Sequence, residues 1–142
     1  MNGKIKHYQR EALKTRLASA DPFEVTQMLM EGALESMKVA KINIQNNDLE
    51  NKSRVIAKAT SIIDTLRLSL NHDVGGELSS NLESLYVYMS DSLLESSINN
   101  DIAKIEEVVE LLSDIKVAWD QIPERDRQSA FNQMQNKTAV SG

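Results

Sequence analysis

The sequence predicts an all-α protein, an antiparallel up-down-up-down four-helix bundle with a short N-terminal cap segment and a flexible C-terminal tail. Three observations predict it. Apolar residues recur every three to four positions over most of the chain, which is the period of a helix face. Only 5 glycines and 2 prolines occur in 142 residues, too few for a loop-rich or all-β architecture. Short polar clusters, Asn46-Asn47-Asp48, Asn71-His72-Asp73 and Asn99-Asn100-Asp101, divide the periodic stretches into four.

The first bundle helix starts at Asp21-Pro22-Phe23-Glu24. Asp21 suits the N-cap, Pro22 the first helical position, and Glu24 can close a capping box. Val25, Leu29, Ala33, Ala40 and Ile44 follow at helical spacing. The second helix runs from near Asn51 to Ser69, with Val55, Ala59, Ile62, Leu66 and Leu70 as its main stripe and Ile56 and Ile63 beside it. The Gly75-Gly76 pair reads as a helix C-cap and tight turn. The third helix then spans about Glu77 to Ser97, with Leu78, Leu82, Leu85, Met89 and Leu93 on one face and Val87 and Leu94 nearly opposite. A fourth carries Ile105, Val108, Val109, Leu112, Ile115 and Trp119, and Pro123 disfavours its continuation. Helices of roughly 20–25 residues are about 30–38 Å long, and short connections make consecutive ones antiparallel neighbours.

The organisation expected is therefore a cap segment over residues 1–20, a bundle over 21–122 and a polar tail over 123–142. Ile5, Tyr8, Leu13 and Leu17 give the cap a loosely helical pattern, and Ala130, Phe131 and Met134 could form a short amphipathic turn. Trp119, Met37 and Met89 are expected in the core.

Composition narrows the function. The net charge is −5, and lysine and arginine read as scattered, which argues against nucleic-acid binding. No cysteine is present, which excludes disulfides, thiolate metal sites and a cysteine nucleophile. Neither His7 nor His72 has a glutamate three residues before it, so the Glu-x-x-His pairs of di-iron bundles are missing, and no metal or other cofactor is expected. Gly75-Gly76 lacks the lysine and spacing of a phosphate-binding loop. Paired carboxylates such as Glu106-Glu107 read as a solvated helix face. With no signal peptide and no membrane-spanning stretch, a cytoplasmic, non-catalytic binding protein is expected. Apolar residues on two faces of the third helix mean that it packs on two things: the bundle, and a terminal segment, a partner or a second copy.

Several blocks then occur in a telling order: Tyr8-Gln9, Asp21-Pro22, Met28-Leu29-Met30-Glu31-Gly32-Ala33-Leu34, Lys58-Ala59 with Ile62-Ile63 and Leu66. Gly75-Gly76-Glu77-Leu78, Asn81-Leu82, Leu85-Tyr86 and Tyr88-Met89 follow, then Asn99 with Asp101, Glu106-Glu107-Val108, Leu111-Leu112 and Trp119. In this order they resemble the FliS-type flagellar export chaperones that bind flagellin, with one departure: Met30 stands where the family usually has tyrosine. The resemblance implies a chaperone that holds flagellin's disordered C-terminal segment, blocks premature polymerisation and supports delivery to the export gate of the flagellar type III secretion apparatus. Other flagellar regulators are further partners it would allow. Helix-in-groove recognition suits such a segment. The widened second-helix stripe beside the tyrosine-bearing third helix points to Ile56, Ile63, Leu82, Leu85 and Tyr86 as groove residues, with Tyr8 near the mouth. A related expectation is that the N-terminal segment occupies the groove until a partner arrives. The rival reading is a structural or regulatory bundle that forms a homodimer through its third helix.

Overall fold

The computed structural model describes residues 2–19 and 21–129. It contains α1 (Asn2–Ser19), α2 (Pro22–Gln45), α3 (Leu49–Leu68), α4 (His72–Asn99) and α5 (Ile102–Asp120), followed by a 3₁₀ turn at Glu124–Asp126. The four long helices α2–α5 are antiparallel and pack as a ring, α2 on α3, α3 on α4, α4 on α5 and α5 on α2. The predicted bundle is thus the observed one. The cap segment is a continuous helix of 18 residues, longer in its order than the sequence pattern suggested. Its described side chains are exposed, Ile5 and Tyr8 included; those of Leu13 and Leu17 are not among the described ones. The turn expected around Ala130, Phe131 and Met134 lies outside the described residues.

Each bundle helix buries a seam with alternating steps of three and four. In α2 it is Phe23, Thr26, Met30, Ala33, Met37 and Ala40; in α3, Lys52, Ile56, Ala59, Ile63 and Leu66, continued by Leu70. In α4 it is Ser79, Leu82, Tyr86, Met89, Leu93 and Ser96, and in α5 Ile105, Val108, Leu112 and, two turns on, Trp119. This is the 3.5-residue period of knobs-into-holes packing, which keeps one stripe facing its neighbours along the whole helix. Two of the sequence stripes shift accordingly. On α3, Ile56 and Ile63 take the central seam while Ile62 moves to the side, where its Cδ1 would lie 3.4 Å from a Cβ at Gly32. On α4, Tyr86 is in the seam, Leu85 is half-buried and Leu78 is exposed.

Polar residues close the seams. Lys52, only 6% exposed, donates from Nζ to the Ser97 carbonyl at 2.7 Å and to Asn100 Oδ1 at 2.8 Å. A cation there meets the carbonyl end of α4, where the helix dipole is negative. Asn100 takes a left-handed conformation (φ 53°), and the Asp101 amide donates back to the Ser96 carbonyl at 3.0 Å. Asp101 then caps α5 by accepting from the Lys104 amide at 3.1 Å. At the other end, Phe23 and Trp119 stack with centroids 4.7 Å apart, and the indole Nε1 donates to the Phe23 carbonyl at 3.3 Å. Asp21 caps α2 as expected, its Oδ1 accepting from the Glu24 amide at 2.8 Å.

The glycine pair acts differently from the C-cap expected. α3 ends before it, at Ser69, and Asn71 caps a new helical turn by accepting from the Val74 amide at 3.2 Å. Gly76 then interrupts α4 with φ 53° and ψ −122°, a backbone region essentially closed to residues with a Cβ. The bend is braced by Ser79 Oγ donating to the Asn71 carbonyl at 3.0 Å and by His72 Nε2 lying 2.8 Å from Glu83 Oε2.

Two substitutions test these devices. Lys52→Met should lower stability to urea by about 1–3 kcal/mol, because the Ser97 carbonyl loses its buried donor; the exposed Lys58→Met should stay within about 0.5 kcal/mol. A Cβ at Gly76 meets no atom within 4 Å, so any cost there is conformational. Gly76→Ala should cost about 1–3 kcal/mol in thermal melting, while Gly3→Ala, in exposed α1, should cost nothing.

Candidate functional site

A groove of about 800 Å³ lies between α3 and α4. Among the described residues its walls come from these two helices alone. α3 gives Ser53, Ile56, Ala57, Thr60, Ser61, Asp64, Thr65, Arg67 and Leu68, and α4 gives Val87, Ser90, Asp91, Leu94 and Ser97. Leu68, Val87 and Leu94 are exposed, Leu94 by 61%, and Ile98 continues the α4 line one turn further. Across the groove Ser90 Oγ donates to Asp64 Oδ1 at 3.0 Å, and Arg67 Nε lies 3.9 Å from the same oxygen. Asp64, Ser90 and Arg67 are thereby paired at the wall, and Leu68, Val87 and Leu94 leave aliphatic surface beside them.

A second groove, about 520 Å³, lies between α2 and α5 and is lined by Glu31, Leu34, Glu35, Lys38, Lys41, Val109 and Ser113. It is charged, and its rim is crossed by ion pairs from Lys41 to Glu106 at 4.0 Å and from Lys116 to Glu31 at 3.9 Å. Such exposed pairs contribute little stability, but they make this face a poor bed for an apolar segment.

The structure separates the six residues singled out from sequence. Ile56 reaches the α3–α4 groove while remaining mostly buried. Ile63, Leu82 and Tyr86 lie in the sealed core, and Leu85 packs half-buried against it. Tyr8 stands on α1, 75% exposed. The reason is the seam: Ile63 and Tyr86 occupy steps of the 3.5-residue pattern, so they point inward. The outer walls are formed instead by residues half a turn away. Val87 and Leu94 had been legible as a second apolar face; Leu68 and Ala57 had not, because Leu68 is flanked by Arg67 and Ser69 and Ala57 falls off the main α3 stripe.

Tyr86 is 1% exposed, and burial pushes its phenol up to about 12. Its neighbour on the outside, Tyr88, donates instead to the Glu107 carboxylate on α5. Among the described residues no group of three or more His, Cys, Asp or Glu could hold a metal ion, and no helix is long and apolar enough to cross a membrane.

These features define a helical bundle that presents a groove with an aliphatic line along one wall. The family model for flagellar protein FliS matches residues 4–126, so the chain belongs to the FliS family of flagellar secretion chaperones. It is 34% identical over 123 residues to the flagellar secretion chaperone FliS of Vibrio cholerae, covering 87% of this chain and 90% of that one. It is 38% identical over 119 residues to FliS of Salmonella typhimurium (83% and 88% covered). With FliSB of Pseudomonas aeruginosa it shares 36% over 118 residues (83% and 94%). The crystal structure of a bacterial flagellar chaperone superposes with a TM-score of 0.66 at 19% identity, covering 82% of this chain and 94% of that one, a likeness of fold.

The raised phenol predicts a pH effect. The native pKa exceeds the unfolded value near 10, so the contribution is complete below pH 10 and is lost as pH rises through 12. Two units amount to about 2–3 kcal/mol. Urea unfolding should show the wild type losing that much more stability than Tyr86→Phe between pH 10 and 12; parallel curves for the two would contradict it.

Proposed function

We propose that this protein holds the disordered C-terminal segment of flagellin in the cytoplasm, prevents its premature polymerisation and supports its delivery to the flagellar type III secretion apparatus. The observation that carries this reading is the aliphatic groove between α3 and α4, in a chain of a secretion-chaperone family. The groove suits a helix laid along it. Its α4 wall offers Val87, Leu94 and Ile98, spaced by seven and four residues, which matches the i, i+7, i+11 repeat of an amphipathic helix. A segment that orders on binding has to recover its lost chain entropy, and a long shallow groove supplies the area for that. The charged α2–α5 groove offers no comparable aliphatic line.

Tyr86→Ala would open a hole in the core and report on folding, so the informative variant is on the wall. Leu94→Glu should leave the fold intact and weaken the C-terminal flagellin segment by about tenfold or more in calorimetry, since an uncompensated charge enters an apolar contact. Undiminished affinity would remove the α3–α4 groove from the binding site. The same exposed α4 line supports the rival reading of a homodimer. In that case sedimentation would show a concentration-dependent dimer that Leu94→Glu dissociates.

A further inference from the structure

One carboxylate interrupts the aliphatic line of the α4 wall. Asp91 lies between Val87 and Leu94, four residues after one and three before the other, so it shares their stripe. It is exposed, and no described residue forms an ion pair with it. Asp64, across the groove, differs: Ser90 and Arg67 already engage it. A helix docked along the α4 line would cover Asp91 and take it partly out of water. An unpaired carboxylate resists that transfer, whereas one met by a cation does not.

Resting on the flagellin reading above, we propose that Asp91 receives a lysine or arginine of the bound segment and thereby sets the register in which that segment lies. The segment would carry a basic residue within its apolar stripe, flanked by aliphatic side chains one turn to either side. Val87 and Leu94 hold those flanking residues, and Asp91 holds the cation between them. A register that placed an aliphatic or acidic residue opposite Asp91 would leave the charge unpaired and is disfavoured. A single polar position in a coiled-coil seam fixes register by the same means.

The test is calorimetric titration of a peptide of the cognate flagellin's C-terminal segment, and of versions with each Lys or Arg singly replaced by Gln. Wild type and Asp91→Asn are compared at low and high salt, with circular dichroism confirming the fold. One replacement should weaken binding to the wild type by about three- to tenfold, and the same replacement should have no effect on Asp91→Asn. The gap should close at high salt. The proposal is overturned if Asp91→Asn binds the unaltered segment as the wild type does, or if every replacement acts equally on both proteins. Leu94→Glu separates the two levels. Loss of binding there with Asp91→Asn unchanged removes only the role of Asp91, while retained binding removes the groove itself.

Discussion

The fold depends on a constraint of period. Four helices can stay in contact along 19 to 28 residues only if each repeats its buried positions every 3.5 residues, because a straight 3.6-residue stripe drifts away from its neighbours. All four bundle helices meet that condition closely, and the residue types at the seam follow from it. Alanines at positions 33, 40 and 59 let α2 and α3 approach, and Met37, Met89, Leu93 and Leu112 fill the wider parts. Where the seam runs out to the ends, it accepts polar residues that find hydrogen-bond partners. Ser96 donates to the Ser92 carbonyl at 2.7 Å, and Lys52 spans from α3 to the end of α4. These groups are buried because of their place in the pattern, and they are tolerated because each is hydrogen-bonded.

The same constraint explains where the groove lies. Beside the inner seam of α4 runs an outer line, Val87, Asp91, Leu94 and Ile98, that keeps the alternation of four and three. α3 carries its counterpart in Ala57, Ser61, Asp64 and Leu68. Two adjacent helices with matching outer lines present the holes that a further helix would fill. A segment lying there would extend the bundle by its own packing rule. On the α2–α5 side the corresponding positions hold Glu31, Glu35, Lys38 and Lys41, whose charges stay at the surface.

Much of this was legible in the sequence. The number of helices, their polar breaks, the Asp21 cap and the core places of Trp119, Met37 and Met89 all followed from spacing and cap chemistry. The second apolar face of α4 was visible as Val87 and Leu94. What misled was the choice of stripe. Reading only aliphatic residues favoured Ile62 and Leu78 and passed over Lys52, Ser79 and Ser96, since polarity hides a buried position from hydropathy. Once those three are restored, Ile63 and Tyr86 fall inside and the groove wall moves outward. The glycine pair was legible as a break, but its direction was not: positive φ at Gly76 bends the start of α4 and leaves the end of α3 to Ser69. Nor did scattered cations describe α1, whose sequence carries Lys4, Lys6, Arg10, Lys14 and Arg16 and one acid, Glu11.

The departure at position 30 takes on a definite meaning from this geometry. Met30 is a seam residue of α2, fully buried, and α2 contributes nothing described to the α3–α4 groove. A tyrosine hydroxyl at that depth would need a hydrogen-bond partner, as buried polar groups do; the thioether needs none and adapts to the space available. Replacing one by the other therefore acts on core packing. On the proposed reading, specificity for a bound segment would rest on the exposed walls, where Val87, Asp91 and Leu94 alternate apolar and charged side chains outside the seam that the bundle itself requires.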